Sequence, residues 1–170
     1  MKILYLVGQS AVGKKTLITR LMDPIETALR GKFGITGDMV AVGPSFDKIN
    51  HKIWNLKADV VLYQWQYCNH TWVLPMYEFY KDADQKVVLL VREFDQHFAD
   101  LCKRGRGWPT RPEQWKDDWD KKFIPNLRGL HKAGLEIEIR NGNYDIIEFK
   151  EPLTGSEWWE RVASSESPPE

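Results

Sequence analysis

The stretch that decides the fold is Met1-Lys-Ile-Leu-Tyr-Leu-Val-Gly8-Gln-Ser-Ala-Val-Gly13-Lys14-Lys-Thr-Leu-Ile-Thr-Arg-Leu-Met22. The apolar run at 3–7, with β-branched and aromatic members, predicts a buried parallel strand. The run ends at Gly8, and the apolar residues after Lys14 recur at helical spacing: Leu17, Ile18, Leu21 and Met22. The stretch therefore predicts a strand, a glycine-bearing turn and a helix in direct succession.

Residues 8–14 fit the phosphate-binding loop (P-loop) pattern Gly-x-x-x-x-Gly-Lys. Its glycines let the backbone curl so that successive N–H groups face a polyphosphate, and the helix N-terminus adds partial positive charge. Lys14 would reach the β- and γ-phosphates of ATP. The positions expected to contact the nucleotide are Gly8, Ser10, Ala11, Val12, Gly13, Lys14, Lys15 and Thr16.

One position departs from the pattern. The residue after Lys14 should be Ser or Thr, whose hydroxyl holds Mg²⁺, but here it is Lys15, followed by Thr16. We expect phosphate binding and take Thr16 as the candidate metal contact. Three alternatives remain for the metal: Mg²⁺ is held through water and other side chains, Lys15 supplies charge in its place, or activity is weak.

Composition limits the class of protein. A chain of 170 residues is expected to form one domain, and its net charge of 0 indicates no global field for nucleic acid. Cys68 and Cys102 lack CxxC spacing, which indicates free thiols in a reducing cytosol. The chain shows no leader and no apolar run approaching 18 residues, so we expect a cytoplasmic protein that contacts no membrane. Residues 1–163 form the expected domain, and 164–170 a disordered tail.

Beyond the first helix, strands and helices alternate. Strands are expected at 39–42, 58–65, 87–91, 135–140 and 144–149, and helices at 25–29, 46–54, 72–80, 94–102, 115–127 and 157–162. Such alternation indicates βαβ units. We therefore expect an α/β protein with the three-layer P-loop NTPase fold: about five mostly parallel strands, helices on both faces and a C-terminal hairpin.

A basic, glycine-rich loop at 103–111 follows the helix at 94–102. Together with the P-loop, it makes the chain resemble the P-loop nucleoside, nucleotide and polynucleotide kinases, which carry an arginine-bearing lid at this place. The resemblance implies that Arg104 and Arg106 close over the transferring phosphoryl group, whose oxygens suit guanidinium forks. A solvated basic loop is the alternative, and Arg92 is a further candidate for a phosphate contact.

Asp38 is the candidate general base. It lies in a Gly37-Asp38 turn 24 residues after Lys14, close to where small P-loop kinases carry an acid that takes a proton from the acceptor hydroxyl. Ligands of parallel sheets gather outside the carboxyl ends of the strands. A solvated turn aspartate is the alternative, with Asp47 and Glu78 as fallback carboxylates.

The second acid that orders Mg²⁺ in P-loop proteins is not evident. The strand at 58–65 leads into Gln64 and Gln66, and Asp59 lies at its start, which is the wrong end. Either the metal is held through water and nucleotide oxygens, or one of these glutamines contacts substrate.

Asn141-Gly142-Asn143 has two interpretations. Between alternating apolar residues it predicts a hairpin with a type I′ turn. In the kinases that the chain resembles, the loop after the last core strand lies against the adenine base, so Asn141 is also a nucleotide-contact candidate.

Six of the eight tryptophans divide into two groups by position. Trp115 and Trp119, at helical spacing, are expected in the core, as are Trp54 and Trp65. Trp72 and Trp108 lie in or near loops, where an exposed indole could stack on a base. His70 and His97 have no ligand-spaced partner, so no protein metal centre is expected.

These patterns favour an ATP- and Mg²⁺-dependent phosphotransferase acting on a hydroxyl of a nucleoside, nucleotide or DNA base. The small, tryptophan-rich chain with its altered P-loop also resembles the phage-type kinases that phosphorylate 5-hydroxymethyluracil in DNA. The competing class is an inactive nucleotide-binding or interaction module like the guanylate-kinase-like scaffold domains, favoured by Lys15 and the missing second acid. A regulatory GTPase fits least, because Asn-Leu-Lys-Ala-Asp at 55–59 lacks the spacing of a guanine motif.

Overall fold

A six-stranded sheet forms the centre of the molecule in a computed structural model that describes residues 1–9, 11–42, 57–65, 70–104 and 111–147. Its strands are β1 (Lys2–Val7), β2 (Met39–Val42), β3 (Val60–Trp65), β4 (Asp84–Leu90), β5 (Glu136–Arg140) and β6 (Ile146–Ile147). Their order in space is β2-β3-β1-β4-β5-β6. The first five are parallel and β6 is antiparallel to β5. The predicted sheet and C-terminal hairpin are confirmed.

The central strand β1 is buried on both faces because it pairs with β3 on one side and β4 on the other. Its side chains alternate between two core clusters: Ile3, Tyr5 and Val7 enter one, and Leu4 and Leu6 enter the other. A strand covered on both faces needs apolar residues at every position rather than at alternate ones. That requirement explains the continuous apolar run from which the strand is predicted.

Helices cover both faces of the sheet. Helices α1 (Lys14–Met22) and α2 (Thr27–Lys32) cover one face. The other face is covered by α3 (His70–Phe79), α4 (Phe94–Arg104), α5 (Pro112–Asp118), a π-helical turn (Trp119–Phe123) and α6 (Ile124–Lys132). The three layers are therefore helix, sheet and helix. None of the helices described is both long and apolar enough to cross a membrane.

The long helix expected at 115–127 is instead α5, the π-helical turn and α6 in succession. Pro125 lacks the N–H that an α-helix would use at this point, and the wider π turn comes just before it. The turn also serves packing. Trp115, Trp119, Phe123 and Leu127 recur every four residues, a spacing that drifts by about 40° per step in an ideal α-helix. With the π turn in place, all four are buried.

The start of α2 lies two residues later than predicted. The Asp23 carboxylate accepts the N–H of Ile25 at 3.0 Å and so forms an Asx turn ahead of the helix. Ile25, expected as a helix residue, is exposed. The helices predicted at 46–54 and 157–162, and the tail at 164–170, lie outside the described residues, as do Trp54, Cys68 and Trp108.

Candidate nucleotide-binding site

The parallel strands define two edges of the sheet. We call the carboxyl edge the one at which β1 ends in Val7, β3 in Trp65, β4 in Leu90 and β5 in Arg140, and the amino edge the opposite one. The P-loop follows β1 and therefore lies at the carboxyl edge. Ligands of open α/β sheets bind at this edge.

The two P-loop glycines serve different purposes. A Cβ on Gly8 would lie 2.8 Å from Val12 Cγ1 and 3.0 Å from the Leu90 carbonyl oxygen, so a side chain has no room there. Gly13 has φ 101° and caps α1, and a Cβ on it would meet nothing within 4 Å. Gly13 is thus required for its left-handed backbone. The open space beside it, at a helix N-terminus, suits a phosphate group.

Lys14 folds back over the loop. Its Nζ donates to the carbonyl oxygens of Gly8 at 2.5 Å and Gln9 at 2.9 Å, and the side chain is buried. Burial, and secondarily the positive charge of Arg104, lower the pKa of Lys14 to about 7. A bound polyphosphate would offer this ammonium stronger acceptors than two carbonyl groups. The residue is therefore placed to respond to an anion.

Arg92, which follows the neighbouring strand β4, hydrogen-bonds to the P-loop. Its Nη1 donates to the Ala11 carbonyl oxygen at 2.9 Å and pairs with Asp100 at 2.9 Å. Ala11 has φ 63°, an unfavourable conformation for a residue with a Cβ. The sequence suggested Arg92 as a phosphate contact, and the structure shows it holding the loop.

A cavity of about 220 Å³ opens beside the P-loop. Three elements line it: the start of α1, the end of β4 and the connection from β5 to β6. The lining residues are Val12, Gly13, Thr16, Leu90, Val91, Arg92, Asn141, Gly142 and Tyr144. A cavity that joins the helix N-terminus to a partly aromatic wall could accommodate phosphates at one end and a base at the other.

The connection from β5 to β6 is a hairpin, but the predicted type I′ turn is wrong. Arg140 pairs with Ile146, so five residues separate the strands rather than two. Asn141 organises this loop, because its Oδ1 accepts the N–H groups of Asn143 and Asp145, each at 3.0 Å. Asn141 lines the cavity, with its side-chain oxygen engaged in shaping the wall.

The β5–β6 loop is also fastened to α2. Arg140, which is 3% exposed, donates to the carbonyl oxygens of Tyr144 at 2.9 Å and Lys32 at 3.0 Å, and its guanidinium lies over the Phe33 ring. Lys32 in turn pairs with Asp145 at 2.8 Å. These contacts hold the cavity wall against the body of the protein.

The assignment of Asp38 as the catalytic base is contradicted. Asp38 precedes β2, whose Met39 is level with Val60 of β3 and hence with Lys2 of β1. It therefore lies at the amino edge, separated from the P-loop by the length of β1, roughly 17 Å. Its turn is structural: the Asp38 N–H donates to Asp59 Oδ2 at 2.8 Å, and a Cβ on Gly37 would collide with that carboxylate.

The fallback carboxylate Glu78 lies at the same wrong edge. It is near the end of α3, where the Tyr77 carbonyl oxygen accepts a hydrogen bond from Gln85 at the start of β4. Asp59 is likewise at the amino edge, as the sequence indicated. Gln64, by contrast, is level with Leu6 and lies at the carboxyl edge, half-buried.

Lys15 and Thr16 both lie exposed in the first turn of α1, and Thr16 lines the cavity. Thr16 can therefore face a bound metal–nucleotide complex. Among the described residues, no group of three His, Cys, Asp or Glu side chains could hold a metal ion.

Arg104 is the last residue of α4 rather than part of a loop, and its charge reaches Lys14. Most of the expected lid, residues 105–110, lies outside the described residues. Four other candidates, Ser10, Asp47, Gln66 and Arg106, lie outside the described residues. Of Trp72, only its place in α3 is described.

Sequence reasoning missed two residues at this edge, Gln9 and Asp118. Gln9 Nε2 donates to Asp118 Oδ2 at 3.4 Å. Gln9 occupies a variable position of the P-loop pattern, and Asp118 lies in a helix between two aromatic core residues. The sequence signal that could have drawn attention to Asp118 is Pro125, because a proline within a helix indicates an irregular turn nearby. As predicted, Trp115 and Trp119 are in the core.

Comparison with known proteins gives a fold but no family. No protein-family model matches the sequence, and no curated protein matches it. Among solved structures, a chain from the PezAT chromosomal toxin–antitoxin system of Streptococcus pneumoniae is similar over 96% of this chain and 78% of that one, with a TM-score of 0.57 and 13% identity. A sugar kinase from Janibacter sp. HTCC2649 aligns over 96% and 93%, at 9% identity and a TM-score of 0.36, too low for any argument.

The fold and the strand–loop–helix unit together define the class. The chain has a three-layer α/β fold with a P-loop after its first strand; the described residues form six strands, five of them parallel, with helices on both faces. At 13% identity, the similarity to the PezAT chain shows this fold alone.

Proposed function

We propose that this protein is an ATP-dependent phosphotransferase that moves the γ-phosphate to a hydroxyl group of a nucleoside, a nucleotide or a DNA base. The observation that carries the proposal is the P-loop itself. Gly13 caps α1 with open space beside it, and Lys14 lies across the loop at the carboxyl edge. This arrangement offers amide groups, a helix N-terminus and an ammonium to one polyphosphate.

The cavity supports a nucleotide rather than inorganic phosphate as the ligand. It extends from Gly13 and Thr16 to the β5–β6 loop, where Tyr144 contributes a half-buried ring. An aromatic side chain in the cavity wall is a possible contact for a base. Arg104, close to Lys14, would add positive charge over the transferred group.

A second candidate function is nucleotide binding without catalysis. It is favoured by Lys15, which lies exposed where a metal-binding hydroxyl is usual, and by Gln64 at the end of β3. A protein that only binds a nucleotide needs the P-loop, but it needs neither the metal contact nor a catalytic general base. The two functions differ in one observable, which is transfer of phosphate.

The test is transfer of labelled γ-phosphate from ATP with Mg²⁺ to a panel of deoxynucleosides, nucleotides, DNA 5′-ends and DNA carrying 5-hydroxymethyluracil. Lys14→Ala should abolish transfer, because it removes the ammonium that meets the phosphates. Lys132→Ala is the matched control, since this exposed lysine lies at the end of α6, at the amino edge. ATP binding with neither transfer nor hydrolysis would favour the binding module, and Lys15→Ser would then test whether the metal contact is what is missing.

A further inference from the structure

One side-chain contact at the carboxyl edge joins the P-loop to α5. Gln9 Nε2 of the P-loop donates to Asp118 Oδ2 of α5, 109 residues away, at 3.4 Å. Gln9 is 4% exposed, and the Asp118 side chain is 12% exposed. Asp118 Oδ1 pairs with Lys122 at 3.1 Å. Because α5 packs on the sheet face opposite α1, the pair reaches the P-loop from the side that α1 leaves open.

The Gln9 amide has one unused group. Its nitrogen must face Asp118, because an ionised carboxylate only accepts hydrogen bonds. This orientation turns Oε1 elsewhere, and Oε1 is buried without a hydrogen-bond partner among the described residues. A buried acceptor left unpaired is unfavourable, because it has given up its hydrogen bonds to water. The arrangement therefore favours a ligand that donates a hydrogen bond to it.

Two other carboxylates near this edge, those of Asp100 and Glu93, are engaged by neighbouring groups. Asp100 pairs with Arg92 at 2.9 Å, and both oxygens of Glu93 accept amide N–H groups at the start of α4. Asp118 differs, because within the described part of the chain its Oδ2 makes one long contact, to an uncharged amide of the P-loop. Catalytic hydrogen bonds in ligand-free enzymes are often long and tighten when substrate binds.

The helix geometry singles out Asp118 from its neighbour. Asp117 also pairs with a lysine one turn on, Lys121, at 3.0 Å, but its side chain is 57% exposed. Asp118 is the last residue before the π-helical turn, and such turns are frequent at functional sites. Asp117 and Asp118 thus each pair with the lysine four residues later, but Asp118 also contacts the P-loop.

We propose that Gln9 and Asp118 form the acceptor subsite of the phosphotransferase proposed above, and that the acceptor is an alcohol. Asp118 accepts the proton of the attacking hydroxyl, whose oxygen forms a bond to the γ-phosphorus of ATP. The bond from that phosphorus to the β–γ bridging oxygen breaks, and its electron pair leaves with ADP. Gln9 Oε1 accepts a hydrogen bond from a second hydrogen-bond donor group on the substrate that receives the phosphate.

The chemistry of the subsite indicates the substrate class. An alcohol has to lose its proton during the reaction, so a carboxylate base assists it. A phosphate monoester is already largely ionised at pH 7, since its second pKa is about 6, and it would be repelled by Asp118. The subsite therefore suits a neutral group with at least two donors, such as a sugar diol or a hydroxymethylated base.

The experiment compares Asp118→Asn with Asp117→Asn as the matched control. The probes are labelled ATP with Mg²⁺ and three acceptors: deoxynucleosides, DNA carrying 5-hydroxymethyluracil, and nucleoside monophosphates, with phosphate release to water measured in parallel. The wild type should label an alcohol. Asp118→Asn should lower kcat by about 10²–10⁴-fold, leave the ATP dissociation constant unchanged and remove the loss of rate at acidic pH. Asp117→Asn should leave all three unchanged.

Each remaining outcome decides the matter. If the wild type transfers phosphate while Asp118→Asn keeps its kcat or its acidic loss of rate, the role of Asp118 is overturned and the phosphotransferase stands. A preference for nucleoside monophosphates as acceptors would likewise overturn the role of Asp118 and leave the phosphotransferase proposal standing. Neither transfer nor hydrolysis by the wild type overturns both. If Asp118→Asn does not fold, Asp118→Glu decides, because its retained carboxylate must preserve the acidic loss of rate at a reduced kcat.

Discussion

The Arg92 guanidinium donates a hydrogen bond to the Ala11 carbonyl oxygen at 2.9 Å, which ties the end of β4 to the P-loop. Ala11 adopts φ 63°, so this bond helps to hold a conformation that the residue would not favour alone. The loop is therefore shaped partly by its own glycines and partly by the neighbouring strand.

Removing that bond should weaken nucleotide binding. A hydrogen bond from a charged group contributes about 1.5–3 kcal/mol, so Arg92→Ala should raise the ATP dissociation constant by about tenfold or more. Titration calorimetry with ATP measures this directly. Arg128→Ala, an exposed arginine of α6, is the control. Unchanged affinity in Arg92→Ala would show that the P-loop keeps its shape without the strand.

Nucleotide affinity should depend on pH through Lys14. Its pKa is lowered to about 7 in the free protein, so above that pH the side chain is increasingly neutral and must take up a proton to pair with phosphate. The ATP dissociation constant should therefore rise by up to about tenfold per pH unit above 7. Calorimetry in buffers of different ionisation enthalpy should detect the proton uptake. Lys14→Met, which cannot titrate, should bind weakly with no such dependence.

The two P-loop glycines should respond differently to alanine. In Gly8→Ala, the new Cβ meets Val12 Cγ1 at 2.8 Å and the Leu90 carbonyl oxygen at 3.0 Å, so the loop must shift and ATP binding should be lost. In Gly13→Ala, space is open and the penalty is the left-handed backbone, about 1–2 kcal/mol. Thermal unfolding and ATP titration of both variants measure this. Equal losses would mean that crowding at Gly8 is relieved easily.

Arg140 should contribute far more to stability than Lys32. Burial alone would raise the pKa of Glu138, but hydrogen bonds from Lys86 and Arg140 lower it, so the ion pairs outweigh desolvation. Arg140→Met should lower the free energy of unfolding by an amount near the lower end of ~3–5 kcal/mol, because Lys86 remains. Lys32→Met removes the exposed pair with Asp145 and should cost less than about 1 kcal/mol.

The pH dependence of this difference has a definite sign. Because the pKa of Glu138 is lowered in the folded protein, its contribution is present above the ordinary value of 4.5 and is lost as the pH falls through the lowered value. The stability gap between wild type and Arg140→Met should therefore shrink in acid. Urea unfolding at pH 7 and at pH 3 measures it. A gap that is constant with pH would assign the effect to packing on Phe33 instead.

Several elements could be predicted because their signals are local. The apolar run of β1, the helical spacing after Lys14 and the aromatic repeat from Trp115 to Phe123 all appear in the structure as strand, helix and core. The chain does bend at Gly37, with φ 77°, where the Gly37-Asp38 turn was predicted. The interpretation of this turn as catalytic was wrong, because a turn of this kind can lie at either edge of a sheet.

By itself, the sequence determined the strand–loop–helix unit with Gly8, Gly13 and Lys14, because such a unit depends on residues within a few positions of one another. Only the tertiary structure decided which side chains from distant parts of the chain contact this strand–loop–helix unit. Strand direction and pairing sent Asp38 to the amino edge, and helix packing brought Asp118 to Gln9 across 109 residues. The physical reason is that these placements depend on burial summed over the whole sheet, which no short stretch of sequence contains.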